Sequence, residues 1–315
     1  MAPYRKRLRS GFSLAMLLLA VAAAQPASAA PKVVASIKPL HSLVAGVMQG
    51  VGEPYLLVAG GGSPHTYALR PSQSQALAEA DLVFWIGPEL ETFLVKPLVN
   101  LRSRNLTLRG GVVSLAQAEN ILKLPLLPPG IVDAPRTGEA DHLHASVDMH
   151  IWLDPRNAAV MVQAIALHLA AVDPAHASIY RTNSTVMGVR LRALERQIAQ
   201  ELDAPLAPYM VFHDAYGYFE ARFGVAPAAV ISIDPERPPG AARIRALKTR
   251  IAQTNTACIF IEPQFEPRIA QRLAEGTSAR LGVLDPLGAD IKDGGDLYFT
   301  LLANLARNLR ACAAP

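Results

Sequence analysis

The chain has 315 residues, 51% of them hydrophobic and 18% charged, and a formal charge of +4. The excess lies in the first 29 residues, where Arg5, Lys6, Arg7 and Arg9 stand without an acid, so the remainder is close to neutral. A nucleic-acid partner thereby loses its electrostatic footprint, and the remaining chain, about 285 residues, is long enough for two lobes of ordinary domain size.

The first segment reads as an export signal. A basic head precedes the apolar run 14–24, which is short for a bilayer span, and Ala27-Ser28-Ala29 is a small-x-small cleavage site. Residues 1–29 are assigned to the signal peptide. No cysteine stands at the cleavage site and no later run reaches membrane-spanning length, which predicts a periplasmic product with no membrane insertion after cleavage.

Beyond the signal, β-branched runs alternate with helical patterns. Val33-Val34-Ala35-Ser36-Ile37 predicts a strand, 71–80 a helix with an early proline, and Asp81-Leu82-Val83-Phe84-Trp85-Ile86 a further strand. The stretch 122–148 is an irregular loop with Pro125, Pro128, Pro129 and Pro135, ending in Asp141-His142-Leu143-His144 and Asp148. From Pro174 to Leu202 the pattern is helical. Met187, Leu191, Leu194, Ile198 and Leu202 recur on one face, and Asp173-Pro174 supplies a cap with a proline at the first helical position. Such a helix would be about 43 Å long and could span two lobes. In the second half, strands are predicted at 209–212, 229–233, 258–261 and 280–284, with helices over 215–222, 241–253 and 267–275. This alternation predicts an α/β fold of two lobes, each a parallel sheet flanked by helices. The expected division is a first lobe over 30–173, a connecting helix over 174–203 and a second lobe over 204–315.

Three histidines stand in distinctive frames: Ser63-Pro64-His65-Thr66-Tyr67, Asp148-Met149-His150-Ile151-Trp152 and Phe212-His213-Asp214-Ala215-Tyr216. They are 85 and 63 residues apart, so only tertiary folding could bring them together. There is no C-x-x-C or H-x-x-x-H pair of the zinc-finger kind. Distant imidazoles from separate elements point instead to a cleft that closes on one metal ion. His65 follows a Gly60-Gly61-Gly62 turn, and His213 and Asp285 each follow a strand-like run, where ligands collect beyond the carboxyl ends of parallel strands. Asp285, before Pro286, is the candidate fourth ligand. Glu262, after the 258–261 strand, could orient a ligand or cap the next segment. His41 is close enough to the expected cleft for an indirect role, whereas His168 and His176 read as packing or surface residues. Only two cysteines occur, Cys258 and Cys312, and in an oxidising compartment such a pair predicts a disulfide, here tying the last helix to the second lobe.

Several stretches carry a full-length resemblance: Ser63 to Ser72, the His150 and His213 frames, Phe260-Ile261-Glu262-Pro263-Gln264-Phe265, and Leu284-Asp285-Pro286-Leu287-Gly288. The chain resembles the periplasmic zinc-binding proteins of high-affinity zinc ABC importers, within a cluster that also contains manganese binders. The resemblance implies two α/β lobes joined by a rigid helix, with Zn2+ as transported cargo in the cleft. It further implies His65, His150 and His213 as metal ligands and a membrane permease as partner, with a monomer suited to docking on it. Manganese relatives carry a carboxylate at the position of His213, and a nitrogen there favours zinc. The loop before His150 is shorter in His and acid than is usual for the zinc branch; His142 and His144 remain candidates for an auxiliary zinc site. The alternatives are a manganese-binding or adhesin-type relative on the same scaffold, or a zinc hydrolase. The hydrolase would need an open metal position for water, and the chain has no H-E-x-x-H helix.

Overall fold

A computed structural model describes residues 29–103, 110–126, 147–232 and 238–314. The expected signal peptide, apart from Ala29, and the His142–His144 loop lie outside the described residues.

Two four-stranded parallel sheets form the frame. The first has the order β2-β1-β3-β4, from strands β1 (Val33–Ile37), β2 (Tyr55–Val58), β3 (Leu82–Trp85) and β4 (Gly111–Ser114). The second repeats the order as β6-β5-β7-β8, from β5 (Tyr209–His213), β6 (Ala229–Ser232), β7 (Cys258–Ile261) and β8 (Arg280–Val283). Every pairing within the two sheets is parallel. Parallel strands need crossovers, and helices provide them: α1 (Lys38–Met48), α2 (Pro71–Glu79) and α3 (Thr92–Ser103) in the first half, α6 (Gly217–Phe223), α7 (Ala241–Thr254) and α8 (Arg268–Ala274) in the second. Between the sheets lie α4 (Pro155–Val172) and α5 (Ala177–Glu201), and α9 (Leu297–Ala313) closes the chain. No described helix is long and apolar enough to cross a membrane.

The long helix is shorter than its sequence pattern predicts. Pro174–His176 forms a 3-10 turn, and the α-helix proper begins at Ala177. Asp173 does not cap that turn with its side chain. Its Oδ2 accepts from the Tyr180 hydroxyl and lies against His176 Nδ1, both at 2.7 Å, which turns the chain between α4 and α5. Twenty-five helical residues span about 37 Å. Met187, Leu191, Leu194, Ile198 and Leu202 are all buried, as their period requires. That face packs on α4, α1 and α9. At the α1 crossing a Cβ on Gly46 would come within 2.6 Å of the end of the flexible Met187 side chain, which would have to move aside.

The apolar core passes from one sheet to the other. A single cluster joins β1 and β3, helices α1, α4 and α5, Tyr209 and Val211 of β5, and the inner face of α9. The alternate strand residues Met210, Ile231 and Ile259 point the other way, into a smaller cluster with Leu247 and Ile251 of α7. A Cys258–Cys312 disulfide, with Cα atoms 5.7 Å apart, ties the end of α9 to β7.

Candidate metal centre

Three connections bring three imidazoles to one point. His65 lies in the turn between β2 and α2, where its amide donates to Ser63 Oγ at 3.3 Å. His150 immediately precedes a 3-10 turn over Ile151–Leu153 that leads into α4. His213 is the last residue of β5, one position earlier relative to the strand end than the sequence places it. One nitrogen from each ring falls within a group whose members all lie within 4.8 Å of one another. His150 and His213 are buried and His65 is half-buried.

Hydrogen bonds determine which nitrogen each buried ring presents. Asp148 Oδ1 lies 2.8 Å from His150 Nδ1, and Glu262 Oε1 lies 2.7 Å from His213 Nδ1. Both carboxylates are buried and can only accept, so each Nδ1 carries its proton and each Nε2 offers a lone pair. Those two Nε2 atoms face each other at 3.4 Å. Two lone pairs this close repel unless a cation or proton lies between them. Two nitrogens bound tetrahedrally at zinc distances would stand about 3.3 Å apart. The Trp152 ring backs His150 with centroids 5.2 Å apart, and Phe265 backs His213 at 5.5 Å.

The electrostatics follow the same division. Burial and then the neighbouring His150 and His213 lower the His65 imidazole from 6.5 to about 3, so it is neutral across the physiological range. Burial also pulls His213 down, but the Glu262 carboxylate, with Asp214 and Asp148 adding to it, more than offsets this and the net shift is upward.

The segment carrying His150 is fastened from the second half of the chain. The Tyr218 hydroxyl donates to the Asp148 carbonyl at 2.7 Å and accepts from the Leu124 amide at 3.0 Å. Arg222 forks onto Asp154 at 2.9 and 2.6 Å, while the same carboxylate caps α4 by accepting from the Arg156 amide. Trp152 Nε1 donates to the Pro286 carbonyl at 2.8 Å, and the Tyr298 hydroxyl donates to the Trp152 carbonyl at 2.6 Å.

Known proteins share both this sequence and this fold. The profile of the family described as zinc-uptake complex component A, periplasmic, matches residues 33–312. The chain belongs to the zinc-uptake component A family. A Brucella abortus relative named as the ZnuA protein of a high-affinity zinc uptake system is 42% identical over 336 residues, covering 98% of this chain and 99% of the relative. A Yersinia pestis protein of the same name is 36% identical over 320 residues, covering 95% and 96%. A ZnuA crystal structure superposes with a TM-score of 0.76 at 24% identity, over 90% of this chain and all of that one. A ZnuA deletion mutant solved with zinc bound gives 0.73 at 26%, over 91% and 99%.

Within this member of the zinc-uptake component A family, Asp285 sits differently from the three histidines. It follows β8, but its carboxylate is not in the group of clustered ligand atoms. Oδ1 accepts from Gln264 Nε2 at 2.8 Å, Leu287 N at 3.0 Å and Gly288 N at 2.9 Å, and Oδ2 accepts from Ala289 N at 2.5 Å. His142 and His144 lie outside the described residues. His41, on α1, holds the Pro54 carbonyl at 3.0 Å and takes no part in the cluster. Of the two readings the sequence leaves for Glu262, the structure favours orientation of His213. Asp148 went unrecognised as the counterpart at His150; the Asp148-x-His150 spacing was the available signal.

Proposed function

We propose that this protein captures Zn2+ in the periplasm and delivers it to the membrane permease of an ABC importer. One observation carries the reading: the Nε2 atoms of His150 and His213 converge at 3.4 Å, each ring held through its Nδ1 by its own buried carboxylate. Such a pair waits for a cation, and His65 adds a third imidazole kept neutral by burial. Nitrogen donors suit zinc better than manganese, whose harder ion favours oxygen. The proposed ligands are His65, His150 and His213. Asp285, with four donors already on its two oxygens, serves first to hold the 285–289 turn. The relatives' names as components of zinc uptake systems support the cargo, and the family's description as periplasmic supports the compartment. No bond-making chemistry is required, and the protein works as a monomeric carrier.

The test is a competition. Metal-free mature protein is offered equal, limiting Zn2+ and Mn2+, and bound metal is counted by mass spectrometry beside a His213→Ala variant. One zinc per chain, weakened at least tenfold in the variant, is expected. Preferential manganese would reject the cargo, and zinc binding unaffected by the variant would reject the site.

A further inference from the structure

Gln264 borders the same small cavity as His65, His150 and His213. Its Nε2 donates to Asp285 Oδ1 at 2.8 Å. Its Oε1 is shielded from solvent and has no hydrogen-bond partner among the described residues. The orientation of this amide is dictated by its neighbour. Turned over, it would set Oε1 against Asp285 Oδ1, two acceptors at hydrogen-bonding distance, and would remove a donor from the carboxylate. Asp285 thus holds the NH2 on its own side and leaves the carbonyl oxygen to the rest of Gln264's surroundings, which include the cavity.

A buried acceptor without a donor is costly, and natural proteins retain few of them. Asp285 has its oxygens occupied by four donors. Glu262, whose Oε2 is likewise buried without a partner among the described residues, is engaged through Oε1 at His213 Nδ1, on the side of that ring away from Nε2. The oxygen left for the metal-facing side is that of Gln264. Three nitrogens leave a tetrahedral ion one position short. We propose that Gln264 closes the coordination shell, its Oε1 facing the fourth position of an ion held on His65, His150 and His213, with Asp285 as the anchor that orients the amide. This rests on the zinc-binding reading above and assigns a metal contact to a neutral amide rather than to the nearby carboxylate. A neutral oxygen adds no charge to the shell and so does not favour the harder manganese ion in the way a carboxylate would.

The mature protein with Gln264→Leu or Gln264→Glu provides the test, read by zinc affinity in chelator competition, by the visible spectrum of the Co2+-substituted form, and by the Tm of the metal-free protein. Leucine removes both the donor and the oxygen. Zinc affinity is expected to fall about tenfold with one ion still bound per chain. The cobalt bands should shift, and the metal-free Tm should be no lower, since a buried unpaired acceptor has gone. Glutamate keeps an oxygen for the metal but loses the donor to Asp285. It should restore zinc affinity to about wild type while lowering the metal-free Tm through carboxylate repulsion. Wild-type zinc affinity and cobalt spectrum in the leucine variant would overturn the proposal. So would a glutamate variant as weak as the leucine one, because the Asp285 contact alone would then explain the loss. A His213→Ala control separates the layers: if it abolishes zinc binding while the leucine variant is normal, only the role of Gln264 fails, and if it leaves zinc bound, the whole site fails.

Discussion

Each of the two buried imidazoles in the cleft has a carboxylate on its Nδ1, and this is a compromise between holding metal and attracting protons. Glu262 fixes the tautomer of His213 and raises the basicity of its Nε2, which strengthens a metal bond but also raises the imidazole above 6.5. The group is protonated below its raised value, so proton competition at His213 should begin above pH 6.5 and zinc affinity should fall as pH drops through that range. His65, lowered to about 3, adds nothing to that fall. A Glu262→Gln variant should bind zinc roughly 10- to 100-fold more weakly at pH 7.5. Its residual affinity should stay flat to lower pH, because the raised imidazole returns toward its ordinary value. Zinc titrations at pH 7.5, 6.5 and 5.5 test both statements, and a wild-type affinity flat across the series would contradict a histidine shell. A second buried carboxyl affects stability instead. Burial pushes Glu91 from 4.5 up to about 7, against hydrogen bonds from Ser36 Oγ and the Gly87 and Ile86 amides that partly offset the shift. A raised carboxyl favours the folded state fully below pH 4.5, and that contribution disappears as pH rises through about 7. The loss amounts to about 3 kcal/mol. Glu91→Gln should remove this slope, which urea unfolding at pH 4.5 and 7.5 would show as a smaller difference between the two conditions than in the wild type.

Among the elements, the segment after β8 is clasped by a helix from the opposite half of the chain. Lys38, in the first turn of α1, has a side chain only 5% exposed, and its Nζ donates to the carbonyls of Ala289 and Ile291 at 3.0 and 2.8 Å. Asp293 stands 3.1 Å away as counter-charge. Lys38→Met would strand two carbonyls and half of an ion pair, and should cost roughly 3 kcal/mol by denaturant unfolding. A loss below 0.5 kcal/mol would mean that water replaces the ammonium freely. This helix was hidden in the sequence for a physical reason. All eleven residues of α1 are buried, so it lacks the polar face that reveals an amphipathic helix, and it starts at Lys38 with no turn after β1. The α3 helix was masked by Pro97 within it, and β4 by offering only Val112 and Val113 between Gly111 and Ser114. By contrast β1 and β7 were legible to the residue, because short, mostly apolar runs rich in β-branched residues are the mark of a strand covered on both faces. The histidine frames were legible because each sits in an unusual local setting. The roles of Asp148, Lys38 and Gln264 were not, since each depends on a partner fixed only by the tertiary fold.

At the scale of the molecule, the continuous core decides how much the protein can move. Helices α1, α5 and α9 pack on one another between the sheets, and the backbone of Gly295 approaches that of Gly46 so closely that a Cβ on Gly295 would lie 3.3 Å from the Gly46 Cα. Hinge closure would have to open this packing along with the bonds from Tyr218, Arg222, Trp152 and Lys38. Solution scattering with and without zinc should therefore differ only slightly in radius of gyration. A compaction of several per cent would show that the lobes swing. The disulfide adds to this restraint; in the chain-entropy model its closed loop of about 55 residues is worth about 4 kcal/mol.

The wide spacing of the three histidines has a consequence for how the chain reaches its place of work. An unfolded polypeptide has no site at all, only solitary imidazoles scattered over nearly 150 residues, each a feeble trap for metal. A precursor threaded through a secretion channel before folding would therefore carry no ion outward, and each new carrier would arrive empty. Were the donors neighbours in sequence, every molecule exported would drain the pool that import is meant to fill.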